Sequence, residues 1–109
     1  MLTADQIKTA QDVKTEEIEV PEWGGSIKVK AFTLAKRNEV MNGATDVGTG
    51  KMDYEKFQVL SFIECCVDPK FAPADFTALK EKSAVVMDRI MKKIMDLSGM
   101  QKPEVAKNA

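Results

Sequence analysis

The sequence predicts an α+β fold: a single, mostly helical domain of about four to five helices with one N-terminal antiparallel β-hairpin, spanning residues 1–100. Three observations carry this. Two short alternating arms flank a glycine pair at Gly24-Gly25, a densely apolar segment runs from Phe57 to Val67, and a broad apolar stripe at helical spacing marks Ala84 to Ser98. A chain of 109 residues with 44% hydrophobic and 30% charged residues matches one globular domain with one core.

The elements follow in order. Thr3 to about Val13 fits a short helix, with Ile7 and Ala10 on one side and Asp5, Lys8 and Gln11 on the other, though its apolar content is thin. Alternation in Glu17-Ile18-Glu19-Val20 and in Ser26-Ile27-Lys28-Val29-Lys30 puts Ile18, Val20, Ile27 and Val29 on one face. Glu17 and Glu19 then lie opposite Lys28 and Lys30 on the wet face. Pro21 ends the first arm by removing a ladder donor, and the glycine pair supplies the positive φ of a tight reversal.

Thr33 reads as the cap of a helix from Leu34 to about Asn42, with Leu34, Val40 and Met41 inward and Gly43 as its stop. A loop follows from Ala44 to Lys51. From Asp53 the pattern is helical through Val67, and so apolar around its circumference that it reads as a buried central helix, ended by Asp68-Pro69. Phe71 to Leu79 restarts a short helix with Pro73 in its first turn, carrying Phe76 and Leu79 inward. Ser83 caps the last helix, whose stripe of Val86, Met87, Ile90, Met91, Ile94, Met95 and Leu97 opposes Asp88, Arg89, Lys92, Lys93 and Asp96, with Gly99 as the stop. The expectation for residues 101–109 is a mobile C-terminal tail.

Composition excludes much chemistry. The chain has no histidine, which removes His-based general-base catalysis, Ser-His-Asp and Cys-His nucleophile systems and His-ligated metals. Sixteen basic and seventeen acidic residues are interspersed, so the basic footprint of a nucleic-acid binder is missing. No apolar run approaches the roughly 18 residues of a membrane span. The first residues lack the pattern of a secretory signal, and the expected location is the cytoplasm.

Local motifs name no catalyst. Gly48-Thr49-Gly50-Lys51 lacks both the first glycine of a P-loop, where Thr45 stands, and the Ser or Thr, where Met52 stands. As a calcium loop from Asp46 it has glycines at ligand positions and Phe57 in place of the bidentate glutamate. Cys65 and Cys66 are adjacent, the wrong spacing for a redox or zinc motif, and read as buried reduced thiols. Catalytic residues, cofactor and metal are therefore all expected to be absent. Trp23, at the hairpin tip, either folds back on the domain or docks with a partner. Met87, Met91 and Met95, followed by Met100, line one edge of the last helix; core packing is the default for such a stripe, and an adaptable interface the alternative.

In their order, these features resemble a known family. The acidic strand Ile18-Glu19-Val20, the turn Pro21-Glu22-Trp23-Gly24-Gly25, the basic strand Ser26 to Lys30, the Phe32-Thr33-Leu34 step into a helix with Lys36-Arg37, and the closing Lys82-Ser83-Ala84 helix are similar to the tail assembly chaperones of long-tailed bacteriophages and prophages. The resemblance runs from about Glu17 to Met100 and is most specific in the hairpin. Phe32-Thr33-Leu34 stands where the family usually has Leu-Thr-Gly, and Asp68-Pro69-Lys70 where it has an acidic-glycine stretch.

The resemblance implies a non-enzymatic protein of the bacterial host cytoplasm. It would bind the tape measure protein, keep it soluble during tail assembly, and be absent from the mature virion. It also implies a longer form, made by a ribosomal frameshift near the gene's end, that recruits tail tube protein. The residues expected to touch the client are Trp23, Met87, Met91, Met95 and Met100. The alternative is a structural tail or head-to-tail connector subunit that stays in the virion and self-assembles into rings; self-association is open in either case.

Overall fold

The computed structural model describes residues 1–100, so the tail expected over 101–109 lies outside the described residues. The chain begins with helix α1 (Ala4–Thr9), which Thr3 and Gln6 close by a reciprocal capping box, Gln6 N–H donating to Thr3 Oγ1 and Thr3 N–H to Gln6 Oε1. It is shorter than the segment 3–13 expected, and none of its residues is buried. The thin apolar content gives it nothing to pack with.

The hairpin forms as the alternation requires. Strand β1 (Thr15–Val20) pairs antiparallel with β2 (Gly25–Lys30) through a 3-10 turn at Pro21–Trp23, and Gly24 closes the turn at φ 79°. Ile18, Val20, Ile27 and Val29 all point into the core. The register places Glu17 opposite Lys28, as expected, but Glu19 opposite Ser26 and Lys30 opposite Thr15. The 3-10 turn leaves only Gly25 to face Val20, and the whole ladder is shifted accordingly.

A third strand was not foreseen. Residues expected to finish the central helix form β3 (Cys66–Asp68), antiparallel to β2, giving the sheet order β1-β2-β3. The central helix α3 (Tyr54–Cys65), capped by Asp53, therefore stops one residue before the strand starts. In a continuous apolar run, a helix end and a buried strand give the same sequence signal.

Helix α2 (Leu34–Ala44) is capped by Thr33 and runs through Gly43 instead of stopping there. A β-carbon at Gly43 would lie 3.4 Å from Leu60 Cδ1, in ordinary contact with the facing helix α3. Leu34, expected inward, is exposed; at about 100° per residue it sits about 120° around the helix from the buried Val40. The connection from 45 to 52 is a built turn: Thr45 and Met52 form a bridge, and the Asp46 carboxylate accepts N–H donors from Gly48 and Thr49.

Beyond β3, a 3-10 turn at Pro73–Asp75 leads into the single-turn helix α4 (Phe76–Leu79). The last helix, α5 (Ala84–Leu97), is capped by Ser83 and lies across the sheet and α3. It serves two packed clusters. Val86, Met87, Ile90 and Ile94 join the inner face of the sheet, Phe62 and Leu79, whereas Met91 and Met95 join Val40, Ala44 and Phe57 from α2 and α3. A hydrogen bond from Phe32 N–H to Ser98 Oγ, 2.9 Å, ties the end of the hairpin to the end of α5.

Candidate functional site

The five residues expected to contact a client fall into two groups. Met87, Met91 and Met95 are 7%, 3% and 4% exposed and belong to the core. The reading of them as an available edge of α5 gives way to packing: Met87 lies in the cluster with the sheet, Phe62 and Leu79, and Met91 and Met95 in that with α2 and α3. Trp23 and Met100 remain at the surface, Trp23 at 37% exposure and Met100 half-buried.

Trp23 is held and exposed at once. Its ring meets the edge of Phe62 at 6.2 Å and 84°, and Phe62 in turn lies 5.2 Å from Phe71. The preceding residue fixes the turn from the other side: Arg89 of α5 donates two hydrogen bonds to the Glu22 carboxylate, at 2.6 and 3.1 Å. The guanidinium holds the Glu22 carboxyl below its ordinary range, and the same bond raises Arg89. A second exposed pair, Lys93 Nζ to Glu16 at 2.9 Å, runs parallel to it from α5 to β1. Of the two alternatives for Trp23, the ring does fold back on the domain against Phe62, and it keeps 37% of its surface open to solvent.

Met100 follows Gly99, whose φ of 67° turns the chain at the end of α5, and its N–H donates to the Met95 carbonyl at 2.9 Å. Its side chain packs against the cluster of Val40, Phe57, Met91 and Met95, so Met100 and Trp23 adjoin different core clusters. Exposed apolar residues outside the expected set include Met1, Leu2, Ile7 and Val13 of the N-terminal segment, Val85 and Leu34, at 70% and 69%, and Val47, at 98% on the 45–52 turn. Val85 was legible in principle, because it sits about 100° off the stripe through Val86.

The chemistry of the polar groups is that of a packed scaffold. Among the described residues, no group of three or more Cys, Asp or Glu side chains is placed to hold a metal ion. Both cysteines are buried and unbridged; burial pushes the Cys65 thiol up to about 12 and that of Cys66 to about 11, far from a nucleophile's range. A shallow open depression of about 210 Å³ lies between α3 and the α4–α5 corner, lined by Tyr54, Gln58, Leu79, Lys80, Lys82 and Met87. It is smaller than the roughly 300 Å³ at which ligand pockets begin. No helix among the described residues is long and apolar enough to cross a membrane.

What these elements define is a small α+β domain: a three-stranded antiparallel sheet with one face under α3 and α5, and an aromatic turn at its corner. No family model matches the chain, and no curated protein matches it by sequence. Among solved structures, the tail assembly chaperone of bacteriophage HK97 matches with a TM-score of 0.54 at 21% identity, over 85% of this chain and 94% of that one. The chain has the fold of a bacteriophage tail assembly chaperone.

Proposed function

We propose that this protein is a non-enzymatic tail assembly chaperone, which binds the tape measure protein in the cytoplasm of the bacterial host and keeps it soluble while the tail is built. The observation that carries the proposal is the shared fold with the HK97 tail assembly chaperone over nearly the full length of both chains. In this reading a long helical client aggregates through its apolar stripes unless they are covered, and the chaperone covers them reversibly, then departs before the tail is complete. The contact surface is the exposed part of Trp23, which packs on Phe62 and keeps 37% of its surface open. Met100 is a second contact. The buried Met87, Met91 and Met95 support the fold behind these residues. A longer frameshifted form would extend the chain to recruit tail tube protein.

Co-expression with the tape measure protein encoded downstream tests this. The expected result is that the client becomes soluble and copurifies, and that Trp23→Ala lowers copurification at least tenfold while circular dichroism of the chaperone is unchanged. A client that stays insoluble, with this chain purifying alone as a closed ring and persisting in finished particles, overturns the proposal in favour of a structural tail or connector subunit.

A further inference from the structure

Among the described residues no strand pairs with the outer edge of β1, and that edge carries an unmet pattern of charge. Because Ala31 N–H donates to the Lys14 carbonyl, the hydrogen-bonded pairs of the hairpin are the alternate ones that include Glu16↔Val29, Ile18↔Ile27 and Val20↔Gly25. Thr15, Glu17 and Glu19 therefore turn their N–H and C=O groups away from β2, toward the open edge of β1. Their side chains share the solvent face, opposite to Ile18 and Val20. Along one row of that face the sheet reads Glu17 on β1, Lys28 on β2 and Asp68 on β3, so the sign of charge alternates strand by strand and ends on an acid. Neither Glu17 nor Glu19 forms an ion pair within 4.0 Å among the described residues, whereas Glu16 and Glu22 are engaged by Lys93 and Arg89.

We infer that the open edge of β1 accepts an extended segment of another protein as a fourth strand, one that carries Lys or Arg at alternate positions. Such a strand continues the alternation across the sheet, setting a cation against Glu17 and another against Glu19, while its backbone satisfies the donors and acceptors of Thr15, Glu17 and Glu19. A second copy of this chain does not fit. Pairing β1 with β1 sets glutamates against glutamates, and the opposite edge of the sheet presents Asp68. Among the described residues, the strand with the required pattern, Ile27-Lys28-Val29-Lys30, is already enclosed between β1 and β3. This inference goes beyond the chaperone proposal and does not depend on which protein the client is.

The probe is a blocked peptide of sequence Lys-Val-Lys-Ile-Lys-Thr, with a matched control in which Glu replaces each Lys, titrated against the full chain at low salt. In the free protein the Thr15, Glu17 and Glu19 amides are expected to exchange rapidly; the Lys peptide is expected to slow all three at least tenfold, and the Glu peptide to leave them unchanged. Glu17→Gln with Glu19→Gln, which retains shape, weakens binding of the Lys peptide at least tenfold. Glu17→Pro, which removes an outward donor, abolishes it with the hairpin intact by nuclear Overhauser contacts between β1 and β2. Equal binding of both peptides, or binding without protection of these three amides, overturns the inference and leaves the glutamates as a guard against edge-to-edge aggregation. Since no client enters the assay, a negative result here and a failed co-expression are separate findings.

Discussion

Cys65 and Cys66 are neighbours in sequence that end in different elements, one closing α3 and the other opening β3, and both are sealed from water. Burial is the main cause of their raised thiol values, about 12 and about 11 against an ordinary 9.0; the charge of Glu64 adds to it at Cys65, and a hydrogen bond from the Asp68 backbone N–H partly offsets it at Cys66. Two outcomes follow. At neutral pH a thiol reagent should leave both unmodified until denaturant opens the domain. Because the folded values are raised, this contribution to stability is complete below about 9 and is lost as pH rises from there toward 12, where unfolded thiols ionise first. Ser61 offers a different test: its hydroxyl is fully buried in α3 with no hydrogen-bond partner. Ser61→Ala removes an unmet polar group without loss of volume elsewhere, and should raise the unfolding free energy by about 1 kcal/mol, read as a higher urea midpoint at constant slope.

At the scale of elements, α5 holds two clusters together, and its methionines are the joint. Met91→Ala should cost about 2–5 kcal/mol of unfolding free energy, seen in thermal or urea melts, since it opens a cavity among Val40, Phe57 and Met95. Most elements were legible in the sequence: the alternation of Ile18, Val20, Ile27 and Val29 specified the hairpin face, and Thr33, Asp53 and Ser83 marked three helix starts. The rest was hidden for particular reasons. Three residues, Cys66 to Asp68, are too few to display a period of two inside an apolar run. Gly43 looks the same in sequence whether it ends a helix or lies one residue inside its end. The candidate site was only half legible, because a methionine stripe records that a surface is covered without recording by what; Trp23 was placed correctly at the turn, but its contact with Phe62 joins residues far apart in the chain.

Considered as a whole, the molecule has a packed body and an appended N-terminal helix. No residue from Met1 to Glu17 is buried, and the capping box of Thr3 and Gln6 stabilises α1 only against itself. Deletion of Met1–Ala10 should therefore leave the melting temperature of the body unchanged, a result that calorimetry reads directly. A fall of several degrees would show that α1 packs against the body in solution.

The direct passage from α3 into β3 also leads to an expected order of events during folding. The hairpin closes a short loop, from Val20 to Gly25, and its pairs can form early. The pairing of Lys28 with Asp68 closes a loop containing all of α2 and α3, so its entropy must be overcome by helix packing that already exists. The middle strand thus waits with one side unsatisfied until the helical layer arrives. Newly made chains are expected to pass through an interval in which β2, later the middle strand of the sheet, is itself an open edge.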